Sequence, residues 1–201
     1  MPPGICGVPS PSPPWPWFVP DCSPLADWLS PAQVWLPYYL CSSLLQAVQG
    51  HKIQFYPVNK KLELEDRSWF DAVLANDLVI FIDYFGFPVE PDTILSIQQT
   101  GARVLKDASQ TFFLQKETDA DFCLYSPRKF LGVPDGGILV SHLPLPSVIH
   151  LKNPPLEWWQ KAFYAVLKRK EFDQGLPVTQ EEWFQLSQEA EQTAPKGFYR
   201  M

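Results

Sequence analysis

Residues 122–140, FCLYSPRKFLGVPDGGILV, decide how this chain is read. A short apolar strand, FCLYS, runs into Arg128-Lys129, turns through GVPDGG and resumes as a second apolar strand, GILV. Lysine is an unusual choice between two strands that read as buried, because its ammonium resists leaving water. Its position past the end of a strand makes it a candidate for chemistry.

Working outward, LVIFID (78–83) is a continuous run of β-type residues, the mark of a strand covered on both faces. EPDTILSIQQTG carries helix-start signals at Pro91 and Asp92 and a stop at Gly101. ARVLKD (102–107) is again a strand, so 78–107 reads as a βαβ unit. VWLP (34–37) and IQFYPV (53–58) read as further strands, with a helix through SSLLQAV (42–48) between them. KKLELEDRSWFDAVLAN (60–76) reads as a charged connection entering an amphipathic helix. The expected class is an α/β sheet sandwiched by helices.

Three segments follow from composition. Residues 1–33 are packed with proline, which favours extended geometry, and read as a poorly ordered leader. Residues 34–150 carry the α/β domain. Residues 151–201 read as a tail of amphipathic helices. One face of the first carries Leu156, Trp159, Phe163, Val166 and Leu167, and Thr179 and Glu182 stand in capping-box spacing at the start of the second. These stripes read as core or inter-domain packing.

With 201 residues, 46% hydrophobic and 19% charged, the chain is long enough for a folded domain. A net charge of −6 with no basic run disfavours nucleic acid as a partner. The longest apolar runs fall far short of a membrane span. The four cysteines include no CxxC, and no Lys or Arg precedes Lys52, so a reduced, cytoplasmic setting is expected. The three histidines stand apart, and no metal site is expected.

Ligands of open α/β sheets sit beyond the carboxyl ends of the strands, where Asp107 and Lys129 lie. A salt bridge is one reading of that pair. The other is a nucleophilic lysine with an acid that keeps a pyridinium nitrogen protonated. Ser109 and Gln110 follow Asp107 closely enough to serve the same pocket, and Ser126 stands near enough to Lys129 to bind an anion.

Phe85-Gly86-Phe87-Pro88, Asp107-Ala108-Ser109-Gln110, Ala120-Asp121-Phe122, Lys129 and Asp135-Gly136-Gly137 occur in an order that resembles the DegT/DnrJ/EryC1/StrS family of pyridoxal-phosphate-dependent sugar aminotransferases. The match covers roughly residues 34–141. The resemblance implies a three-layer αβα large domain of fold type I, here incomplete, as though cut at both ends. It implies pyridoxal 5'-phosphate as cofactor, with Lys129 as its Schiff-base lysine and Asp107 as partner of the pyridine nitrogen. Gln110 would contact the ring or its phenolic oxygen, and Ser126 would help hold the phosphate. An amino acid donor, a keto-sugar nucleotide acceptor and a homodimer are implied as well. The chain departs from the pattern in three places. It shows no small-residue anion-binding turn before the first helix, and Leu124 stands where the family commonly places serine. With Leu124 goes the ring-stacking aromatic, whose position falls at Cys41, just after Tyr38 and Tyr39, and where the family has a second, smaller domain only the two amphipathic helices are expected to follow. A working aminotransferase and a non-catalytic remnant serving as a folded or interaction domain are therefore both expected readings.

Overall fold

The computed structural model describes residues 17–18, 23–111, 119–134, 136–143 and 153–194. Seven strands form one sheet: β1 (Trp17–Phe18), β2 (Val34–Pro37), β3 (Ile53–Tyr56), β4 (Leu78–Ile82), β5 (Arg103–Asp107), β6 (Phe122–Tyr125) and β7 (Ile138–Ser141). Their spatial order is β1-β7-β6-β5-β4-β2-β3. Strands β2 to β6 run parallel, and β7 is antiparallel to both β6 and β1. β7 returns antiparallel through the 126–137 connection, whose described residues form the 3-10 turn Pro127–Lys129 and no crossover α-helix.

Alternation along the strands divides the interior into two apolar layers. Val34, Leu36, Leu78, Ile80, Ile82, Leu105 and Phe122 face helices α1 (Ser23–Leu29) and α2 (Ser42–Ala47), meeting Leu25, Ala26, Leu44 and Ala47. Trp35, Val79, Phe81 and Val104 face the other way, against Ile94 and Ile97 of α3 (Pro91–Gln98) and against Trp69 and Val73. Helices on both sheet faces make three layers, as the sequence led us to expect. The βαβ unit over 78–107 is present as β4-α3-β5, with Ile80 opposite Leu105 in register.

The stretch 60–76 forms only a short 3-10 helix, Ser68–Ala72, instead of an amphipathic helix. Trp69 stacks flat on Tyr56 with ring centroids 4.4 Å apart and meets Phe70 edge-on at 4.7 Å. Anchoring that ring takes one tight turn, and the extended charged segment before it stays at the surface. α1 lies inside the proline-rich stretch 1–33, and its Leu25 and Ala26 are buried in the core. Residues 1–16 lie outside the described residues.

The tail forms α4 (Leu156–Asp173) and α5 (Gln180–Gln192), with the expected Thr179–Glu182 capping box in place. The expected apolar stripe of α4 is not what packs. The buried residues of the pair are Ala162, Ala165 and Ala190, while Leu156, Trp159, Phe163 and Leu167 are exposed. Small side chains let the two backbones approach, and Trp158 Nε1 donates to the Ala190 carbonyl at 2.9 Å. Among the described residues, no helix is long and apolar enough to cross a membrane.

Candidate functional site

The parallel strands direct their carboxyl ends to one edge, which collects the ends of β2, β4, β5 and β6. Asp107 closes β5 and is 8% exposed. The backbone N–H of Ser109 donates to its Oδ1 at 2.9 Å, a local turn that aims the carboxylate at the edge. β6 ends at Tyr125, and Ser126 precedes a 3-10 turn, Pro127–Lys129. That turn swings Lys129 back toward β5, where its Nζ donates to Ser109 Oγ at 3.0 Å. Lys129 and the segment that begins at Asp107 therefore meet, although 20 residues separate the lysine from Ser109. The lysine is solvent-exposed and stands beyond the buried strands, not between them.

Gln110 is engaged differently from the expectation of a ring contact. Its Oε1 accepts the backbone N–H of Phe85 at 2.9 Å, so it holds the loop after β4. Gly86 in that loop has φ +85°, and a Cβ there would lie 3.0 Å from the Gln110 carbonyl oxygen. This close approach requires glycine. Ser126 is half-buried, and its carbonyl accepts the Lys129 N–H at 3.2 Å. It thus shapes the turn that carries the lysine. Arg128 pairs with Glu191 of α5 at 2.6 Å and ties the tail to the same turn.

Asp83 and Lys106 form a second charged pair, on the face that carries Phe81 and Val104. Lys106 Nζ lies 3.6 Å from Asp83 Oδ2, with side-chain exposures of 4% and 1%. Asp83 Oδ1 accepts the Val89 N–H at 3.2 Å, fixing the far end of the 84–88 loop. Burial pushes the Asp83 carboxyl above its usual range, and the attraction of Lys106 offsets only part of that rise. Asp83 is therefore a structural residue of the loop.

Tyr84 was not singled out from the sequence. Its hydroxyl donates to the Tyr39 carbonyl, and the two rings lie 5.9 Å apart. Burial, then Tyr39, then Asp107 push its phenol well above the ordinary value, which keeps it protonated beside the carboxylate. An aromatic residue directly after a strand-ending Asp was the available signal. Tyr38 instead stacks on Phe55 at 5.6 Å, and Cys41, exposed at the start of α2, contacts Ser43 Oγ.

The donor set fits one end of pyridoxal phosphate and not the other. An amine and a carboxylate at one sheet edge, joined through Ser109, suit the ring and its carbonyl. At the phosphate end, Leu124 is packed into the apolar core and α2 is only six residues long, with no side-chain cap at Cys41. Arg128 is already paired with Glu191. The Asp135-Gly136-Gly137 turn lies partly outside the described residues, since Asp135 is not among them.

No family model and no curated protein matches the sequence. Among solved structures, a Streptococcus pneumoniae protein assigned as a sugar aminotransferase superposes in its PMP form with a TM-score of 0.53 at 11% identity, covering 73% of this chain and 48% of that one. Its apo form gives 0.52 at 13% identity, over 76% of this chain and 45% of that one. A DegT DnrJ EryC1 StrS aminotransferase from Brucella abortus gives 0.45 at 16%, over 62% and 39%. At these identities the likeness is one of fold, and the chain spans about half the length of these structures. The architecture is that of the fold type I pyridoxal-phosphate-dependent transferases.

Proposed function

We propose that this chain carries the ring end of a pyridoxal-phosphate site and belongs to an aminotransferase-like protein that moves an amino group from an amino acid to a keto-sugar nucleotide. The observation that carries this reading is the 3.0 Å contact of Lys129 Nζ with Ser109 Oγ, beside Asp107 at the carboxyl edge of the sheet. Bound there, the cofactor would supply an electron sink for cleavage of a bond next to the amino nitrogen.

The chain's own residues have distinct tasks. Lys129 holds the cofactor through Nζ and moves protons from that same atom. Ser109 orients the amine, and the Asp107 carboxylate favours a protonated ring nitrogen. Gln110 and Ser126 position the loop and the turn that frame the site. Tyr84, beside Asp107, supplies an aromatic wall. The phosphate end is completed by a second subunit of a homodimer or by segments outside the described residues. In this reading residues 34–150, joined by β1 and α1 from the stretch before them, are the large domain, 151–201 begin a small domain or interface, and the protein works in the cytoplasm.

A second reading has specific support. Leu124 sits in the core where a phosphate-binding serine would be needed, which favours a folded remnant that keeps the lysine and aspartate without the cofactor.

The test uses the whole chain. Pyridoxal phosphate is added, the sample is desalted and treated with borohydride, and the adduct is mapped by peptide mass. A label on Lys129, lost in Lys129→Ala, is the expected result. No label in a sample folded by circular dichroism would refute cofactor binding and leave the remnant reading. A label that persists unchanged in Lys129→Ala would refute the assignment of the lysine.

A further inference from the structure

The tail hairpin reaches the turn that carries Lys129 from two sides. From α5, Glu191 pairs at 2.6 Å with Arg128, the residue before the lysine. From α4, Val166 approaches Gly132, just past the lysine, where an added Cβ would meet Val166 Cγ1 at 3.9 Å. The lysine itself rests on the segment after β5, through the 3.0 Å contact of its Nζ with Ser109 Oγ.

The end of α5 is built as a fixed arm. Glu189 pairs with Lys161 of α4 at 3.2 Å, the Ala190 carbonyl accepts Trp158 Nε1 at 2.9 Å, and the next residue, Glu191, meets the turn. With its backbone fixed in this way, Glu191 gives up less freedom on pairing than a carboxylate on a loose segment. Arg128 also stands at the carboxyl end of α5, where the helix dipole favours a cation. Because the lysine is exposed, its place on Ser109 depends on where the turn holds its backbone, and not on burial.

We propose that the α4–α5 hairpin is a clamp on the lysine turn: through Glu191 and Arg128 it keeps Lys129 Nζ on Ser109 Oγ, and opening that ion pair releases the amine from the serine. Arg128 and Glu191 are positioning residues, acting on the lysine through the backbone of Pro127–Lys129. An exposed ion pair shifts such a held-to-released balance by about two- to fivefold, so the clamp opens readily and salt weakens it. The inference concerns where the amine stands, and it does not rest on the cofactor reading.

The test is competitive labelling of the full chain with trace acetic anhydride, from neutral pH into the lysine range, read by peptide mass. Exposed Lys60, beyond β3 at the far edge of the sheet, is the internal reference. The method returns a protonation midpoint and a pH-independent rate for each amine. Only the rate reports release, because an uncompensated charge on Arg128 acts on the protonation equilibrium and does not raise that rate. Glu191→Ala is expected to raise the Lys129 rate about two- to fivefold relative to Lys60, and the swap of Arg128→Glu with Glu191→Arg to return it toward wild type. Ser109→Ala should raise the rate by itself, and adding Glu191→Ala should then change it no further. In chains that circular dichroism shows to be folded, the proposal is overturned by an unchanged Lys129 rate in Glu191→Ala or by a change confined to the midpoint. It is equally overturned by a swap that restores nothing, or by Glu191→Ala acting in full on top of Ser109→Ala.

Discussion

Replacing Gly86 with alanine measures how tightly the loop after β4 is held against the candidate site. Two costs add there. With φ at +85°, a side chain must adopt a left-handed backbone conformation, at roughly 1–2 kcal/mol. The new Cβ would also stand 3.0 Å from the Gln110 carbonyl oxygen, a backbone atom that cannot rotate aside, and such overpacking costs about 1–3 kcal/mol. Gly50 separates the two terms, because its φ is +99° and nothing lies within 4 Å of its would-be Cβ. Gly50→Ala should therefore show the backbone cost alone, lessened by the lower entropy of the unfolded chain. Urea unfolding of both variants reads the difference. For a slope of about 2 kcal/mol per molar urea, the Gly86 midpoint should fall below that of Gly50→Ala by about 0.5–1.5 M. Equal midpoints would mean that the loop yields freely and that Gln110 does not position it.

The buried Lys106–Asp83 pair predicts that Lys106→Met costs about 3–5 kcal/mol, since it strands a carboxylate in the interior. The folded pKa of Asp83 is raised, so the native state holds the proton more tightly than the unfolded chain. Stability from this group is then present below the ordinary carboxyl value and is lost as pH rises through the folded one. Removing Lys106 raises that pKa further, so the Lys106→Met deficit in unfolding free energy should be smaller near pH 4 than near pH 8, and a constant deficit would contradict this account. Burial pushes the Cys123 thiol up to about 11, whereas Cys41 is exposed. In a Cys6→Ser/Cys22→Ser background, one thiol should react promptly with a disulfide reagent and the second only in denaturant; prompt reaction of both would show that β6 opens readily.

Strands β2 to β7 were legible because each is a run of β-type residues bounded by Gly, Pro or charge, whereas β1, two residues inside the stretch read as a leader, was not. VWLP and LVIFI became β2 and β4 as read. The helix expected over 60–76 was not legible as a single turn, because Tyr56, the residue that anchors Trp69, lies on another strand. Proline content obscured α1, whose Leu25 and Ala26 find their partners only once the sheet exists. For the site, strand ends were enough to mark Asp107 and Lys129. The role of Gln110 depended on where the Phe85 N–H would point, and that of Tyr84 on a hydroxyl reaching Tyr39 across 45 residues. The exposure of the α4 stripe was hidden for the same reason: sequence periodicity marks an apolar face without naming what covers it.

The pairing of Trp17 with Leu139 has a consequence for synthesis. These partners are 122 residues apart, so of the strands described in this sheet the earliest in the chain belongs to the last edge to close. At roughly 5–20 residues per second, β1 waits about 6–24 s before β7 exists to receive it. Meanwhile β2 to β6 can assemble in order of emergence, each new parallel strand finding a neighbour already made. A short Trp-Phe segment flanked by prolines suits that wait, because proline denies a stray strand the N–H donors it would need for premature pairing.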